Sequence, residues 1–109
     1  MLSSDIIRGH LDAIVLRLVE EKDRYGYEIS KEIESRTTGR FQIKEATLYA
    51  VFQRLEKKEL LKSYTGSVTF GSKRRYYTIT ELGRVYLKEE TQQWREAKEL
   101  IDIFMEDSK

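Results

Sequence analysis

Apolar residues recur along this chain with two different periods, and the changes of period divide it into elements. Over residues 5–21, Ile7, Leu11, Ile14, Val15 and Leu18 fall on one stripe of a single helix, with Ser4 and Asp5 suited to its first turn. Ile6, His10, Ala13 and Arg17 form a second row about 110° away, and Leu16 lies nearly opposite the first. A helix with apolar residues on several sides packs on more than one. Residues 26–37 predict a second helix, with Tyr27, Ile29 and Ile33 inward and Gly39 as its C-cap. A third covers 45–58, where Leu48, Val51, Phe52 and Leu55 share a face. Residues 60–65 and 74–80 are short and rich in β-branched and aromatic residues, which predicts a hairpin with a long loop over 66–72. Thr80 then caps a last helix over 82–106.

Three helices, a hairpin and a long helix make a mainly α fold with a small β-hairpin, an α+β arrangement of winged helix-turn-helix type. Residues 1–80 are expected to form a DNA-binding domain and 81–109 a C-terminal dimerisation helix. A 25-residue helix is roughly 37 Å long, against a radius of gyration of about 13 Å for a 100-residue domain. Much of it must therefore leave its own domain. Leu87, Trp94, Ala97, Ile101 and Phe104 follow the three-four spacing of a helix–helix seam, which calls for a second copy of the chain.

Composition narrows the chemistry. The 109 residues hold no cysteine and one histidine, so disulfides, thiolate nucleophiles and the usual zinc sites are not expected. No metal or cofactor is expected, and no G-x-S-x-G elbow or grouped acids suggest an enzyme. The stretch from Gly66 to Lys73 has a superficial P-loop look, but Ser72-Lys73 reverses the required order and a strand follows it. With 36% charged residues and short apolar runs, no membrane-spanning helix is expected, and the N-terminus lacks the character of a signal peptide. A cytoplasmic protein is the expectation. A mean hydropathy of −0.61 is polar for so small a chain and fits apolar surface buried against a partner.

The net charge of +1 hides a segregation. Residues 36–75 carry ten basic side chains against Glu45, Glu56 and Glu59, while each flank carries five basic against eight acidic. A basic middle between acidic ends suits a surface that meets a polyanion; a solvated charged face is the plainer alternative. Opposite Leu48, the third helix presents Ala46, Ala50, Gln53 and Lys57, with Thr47 and Arg54 on one flank and Tyr49 on the other. Small residues let a helix approach base edges and thymine methyls, and glutamine can pair with adenine. Thr47 and Tyr49 suit phosphate oxygens, and Arg54 and Lys57 add charge. Lys73, Arg74 and Arg75 would reach the backbone or minor groove from the hairpin, although edge strands also use cations against aggregation. A protein-interaction module without specific DNA binding is the alternative function, but it needs neither the basic middle nor the small-residue face. RNA binding lacks an evident stacking platform, since Tyr76 and Tyr77 alternate across a strand.

The chain resembles the PadR family of transcriptional repressors, in particular its short, multidrug-binding-repressor-like members. The resemblance rests on Ile7-Arg8-Gly9-His10-Leu11-Asp12, Tyr25-Gly26-Tyr27-Glu28-Ile29, Ala46-Thr47-Leu48-Tyr49 through Arg54-Leu55-Glu56, and Arg75-Tyr76-Tyr77-Thr78-Ile79-Thr80-Glu81-Leu82-Gly83, all in family order. It implies a homodimer that binds inverted-repeat operator DNA and is released by a small effector. A tryptophan matching Trp94 pairs with its symmetry mate around flat aromatic compounds in some short members, and here Ile6, His10 and Ala13 would complete the walls, with Lys98 favouring a neutral or anionic ligand; an anchor in the dimer core is the alternative role for Trp94. Two positions depart from the family pattern: Lys44 replaces a small polar cap before the third helix, and Glu59 replaces a glycine after it.

Overall fold

The structure is a computed structural model that describes residues 4–69 and 72–106. Its order is α1 (Ser4–Arg8), α2 (Leu11–Glu21), β1 (Arg24–Tyr25), α3 (Gly26–Arg36), α4 (Glu45–Lys57), β2 (Leu61–Thr69), β3 (Ser72–Ile79) and α5 (Glu81–Met105). The strands form one antiparallel sheet in the order β1-β3-β2. The α+β winged-helix architecture expected from the periodicity is the one observed.

Four local features differ from expectation. The first helix is broken at Gly9-His10, where His10 leaves helical geometry (φ −116°, ψ 7°) and its N–H donates to the Ile7 carbonyl, 2.8 Å away. Glycine is a poor helix residue, and α2 restarts as the His10 carbonyl accepts from Ile14. The short β1 was not foreseen, because two residues carry no period. It is held by pairing with β3, and by Arg24, whose Nε donates to the Leu18 carbonyl (2.8 Å) and whose guanidinium meets Glu21 (3.0 Å). That cation satisfies an end carbonyl of α2 on the favoured side of its dipole. The hairpin strands run longer than 60–65 and 74–80, pairing out to Thr69 and Ser72, since Gly66 belongs to an irregularity between Thr65 and Val68 and not to the turn. Tyr27, expected inward, is 61% exposed; it stands about 200° from Ile29 on the helix and so on another face.

The core lies where α2, α3 and α4 meet the sheet and the first turns of α5. Val15, Leu16, Ile29, Phe52, Leu55, Leu61 and Leu87 are fully buried, and Phe52 stacks on Tyr77 with ring centres 3.8 Å apart. Both faces of α2 are used, as Leu16 opposite its main stripe required. Helix α4 ends with Glu59 in the left-handed region (φ 61°), the Leu60 N–H donating to the Leu55 carbonyl (2.9 Å) and both leucines buried. Helix α3 ends the same way on Thr38 (φ 50°), with Gly39 one residue later donating to Glu34, so the left-handed cap expected of Gly39 begins one residue earlier. Thr80 caps α5, accepting from the Gly83 N–H at 2.9 Å while its hydroxyl donates to the Glu59 carbonyl at 2.8 Å. A Cβ on Gly83 would sit 2.3 Å from the Leu60 carbonyl oxygen, so only glycine lets α5 leave the sheet this closely.

Candidate nucleic-acid interface

Burying Leu48, Val51, Phe52 and Leu55 turns the opposite side of α4 outward, and Ala46, Ala50, Gln53 and Lys57 are all exposed there. Thr47 is half-buried on one flank, and Tyr49, 48% exposed, stands edge-on to Phe52 on the other. The helix starts at Lys44, whose side chain makes no capping hydrogen bond to the first amides. Arg54 is the exception on this helix. It forms a bidentate pair with Asp12 of α2, one contact being 3.0 Å, and the hydrogen bond to that carboxylate holds its guanidinium above its ordinary range. Arg54, expected to add charge to the DNA-facing side, is paired with Asp12 and ties α4 to α2.

The three wing cations also part company. Arg75 lies on the inner side, 3.5 Å from Glu56 of α4, a carboxylate that also accepts from the Ser63 hydroxyl at 3.0 Å. Arg74 projects from the outer side over the Tyr25 ring, 4.5 Å from its centre. Lys73 is exposed and has no carboxylate partner among the described residues. Alternation along a strand makes this separation unavoidable. The same geometry corrects the expectation of no aromatic platform. Tyr64 pairs with Tyr76 and Tyr76 with Tyr25, so three tyrosines from three strands share one row on the outer face. The Tyr64 and Tyr76 rings are stacked at 5.7 Å, and the Tyr64 hydroxyl donates to Asp23 at 2.6 Å, which raises its pKa. A two-residue strand and a reversed sheet order carry no sequence signal, so this row was not legible beforehand.

Near the opposite end, Ile6, His10, Ala13 and Trp94 come together around one cavity of about 550 Å³ between α1, α2, α3 and α5. The His10 ring meets Trp94 edge-on with centres 4.9 Å apart, a contact made possible by the break before α2. Arg17, Arg36 and Glu90 supply its charged groups. Lys98, expected beside it, does not line it; its ammonium is 3.1 Å from Asp102 one turn along α5. The seam also needs correction. Leu87 is 2% exposed and belongs to its own protomer's core, whereas Ala97 is half-buried and Ile101 and Phe104 are 52% and 84% exposed. Leu100, Ile103 and Met105 are equally bare, which makes the distal end of α5 apolar on several sides. The run Leu100-Ile101-Asp102-Ile103-Phe104-Met105 held that signal in the sequence. Among the described residues no three His, Cys, Asp or Glu side chains gather as a metal site, and no helix is long and apolar enough to cross a membrane.

Residues 15–89 match the transcriptional regulator PadR-like family, which takes in α3, α4, the wing and the start of α5. This chain belongs to the PadR-like family. A transcriptional regulator from Clostridium thermocellum is 46% identical, with a TM-score of 0.89 over 97% of this chain and 100% of that one. A PadR family transcription regulator from Clostridium difficile is 36% identical, with a TM-score of 0.77 over 88% of this chain and 98% of that one. An uncharacterized protein of Lysinibacillus sphaericus is 67% identical over 106 residues, 97% of each chain. As a PadR-like protein the chain is a DNA-binding transcriptional regulator and not an enzyme.

Proposed function

We propose that the protein is a cytoplasmic repressor that binds an inverted-repeat operator as a homodimer and is released by a small flat aromatic compound. In this reading residues 1–80 hold the DNA and residues 81–109 join the protomers. Ala46, Ala50 and Gln53 meet base edges, Thr47, Tyr49 and Lys57 the neighbouring backbone, and Lys73 and Arg74 the flank beyond. The observation that carries it is the α4 face. An exposed strip of two alanines and a glutamine, followed by Lys57, fits close approach to a major groove. The distal apolar end of α5 supports the dimer, because five exposed large side chains within six residues exceed the scatter of single apolar residues on a monomer surface. The cavity at Trp94 supports the effector. It touches α3 and α5 together, so a ligand there has contacts that change if the two move apart.

Selection of bound sequences from random duplex DNA tests the core of this reading. Gln53→Ala should then weaken the selected site by about 1–3 kcal/mol per contacted base pair and relax preference at that position. Equal loss on selected and random duplexes would assign Gln53 to the backbone. Planar phenolic and heteroaromatic compounds should quench Trp94 emission and lower DNA affinity together, by about 1–3 kcal/mol of coupling. Release that persists in a dimeric Trp94→Ala variant would move the effector site elsewhere.

A further inference from the structure

We propose that Arg36, Glu21 and Arg24 form the link through which the cavity at Trp94 and the α4 face act on one another. The inference deepens the effector reading given above and rests on it. Its starting point is Arg36, which serves two places at once. Its side chain lines the cavity, and its guanidinium ties α3 to α2, donating to Glu21 at 2.8 Å and to Glu32 of its own helix at 3.0 Å. Arginine carries donors and no acceptor, so an occupant of the cavity that draws on Arg36 must bring an acceptor atom.

From Glu21 the contacts continue to α4. The same carboxylate accepts from the Arg24 guanidinium at 3.0 Å, and Arg24, 8% exposed, places its Nε on the Leu18 carbonyl at 2.8 Å. The Leu18 side chain stands on the cavity wall. Arg24 pairs along β1 with Tyr77 of β3, and the Tyr77 ring stacks on Phe52 of α4 with centres 3.8 Å apart. A two-residue strand has little pairing of its own, so the side chain of Arg24 helps fix where β1 lies against β3. Arg36 can serve either Glu21 or an acceptor in the cavity. When it turns to the cavity, α3 loses its tie to α2, Glu21 is left to Arg24, and β1 resettles against the strand that backs α4. Coupling between sites needs an element with two discrete arrangements that both sites bias, and Arg36 is that element. Coupling is also reciprocal, so DNA alters the cavity if the cavity alters DNA binding.

The test uses the full-length protein and its selected duplex. Trp94 is the only tryptophan and lines the cavity, so its emission reads the cavity with DNA as the sole ligand. Saturating duplex should change that emission in wild type. Glu21→Gln and Arg36→Gln should each cut the change by about twofold or more at saturation, and the double variant should lose no more than the worse single one, because both cut one link. Lys98→Gln removes a comparable pair one turn along α5 from Trp94 and off the path, and should keep the full response. Arg36 and Glu21 are 45% and 36% exposed, so helical circular dichroism should match wild type. A full response in both path variants would refute the link and leave the effector reading standing. Losses that add in the double variant, or an equal loss in Lys98→Gln, would refute it too. A wild-type emission that DNA leaves unchanged would remove both the link and the effector reading while the α4 reading stands. Wild-type protein that selects no duplex would remove all three.

Discussion

Glu59 shows how one side chain can sit against its backbone. It holds the left-handed position that ends α4 (φ 61°), a conformation in which an L-residue crowds its own carbonyl. The hydrogen bond from Leu60 to Leu55 and the burial of both leucines hold it there. Glu59→Gly is expected to raise stability by about 1 kcal/mol, read as a higher urea midpoint at constant slope. A decrease would mean that the carboxylate makes a stabilising contact that offsets the backbone cost. Arg54 carries a related lesson, because an arginine on the helix proposed to face DNA spends its guanidinium on Asp12.

Ion pairs join elements here in addition to the apolar core. Glu21 at the end of α2 receives Arg36 from α3, and that hydrogen-bonded guanidinium, aided by Arg24, holds its pKa at about 2 against an ordinary 4.5. A carboxylate with a lowered folded pKa adds stability that is complete above the unfolded value and lost as pH falls through the folded one. The contribution should therefore fade between about pH 4.5 and 2. With Glu21 36% exposed, solvent screening keeps it below about 1 kcal/mol. Urea midpoints at neutral and acid pH should converge less for wild type than for Glu21→Gln; parallel losses would dismiss the bridge. The wing offers a second check at this scale. Lys73→Gln and Arg74→Gln should each reduce the salt slope of DNA binding by about 1.8, because each substitution removes one phosphate contact from both protomers of the proposed dimer. Arg75→Gln should change it less, since Glu56 already neutralises that cation. An unchanged slope in the first two would remove the wing from the interface.

The whole molecule is elongated, 60 × 30 × 20 Å, because α5 runs past the domain that anchors it. Thr91, bonded by Arg17 at 3.0 Å, and Trp94, against His10, are the last α5 side chains with such a contact to another element among the described residues. Deleting residues 96–109 should leave a folded monomer that has lost tight operator binding, because two half-sites are no longer linked. Sedimentation checks this, and a stable dimer after the deletion would contradict the role given to α5. Keeping Trp94 separates loss of the dimer from loss of the His10 contact.

Periodicity alone determined α3, α4, α5, the hairpin and the buried face of α4, because each is a local pattern that repeats over several turns or residues. Segregated charge and a small-residue strip likewise marked the α4 face before any fold was known. Tertiary structure decided what depends on residues far apart in the chain. It brought the two-residue β1 beside β3, aligned Tyr25, Tyr76 and Tyr64, and drew Arg54 to Asp12 and Arg75 to Glu56. It also moved Leu87 from the seam into the core, since one helix carries two apolar stripes in series and the sequence does not mark where the domain ends. Local spacing specifies which face is apolar; only packing specifies what that face meets.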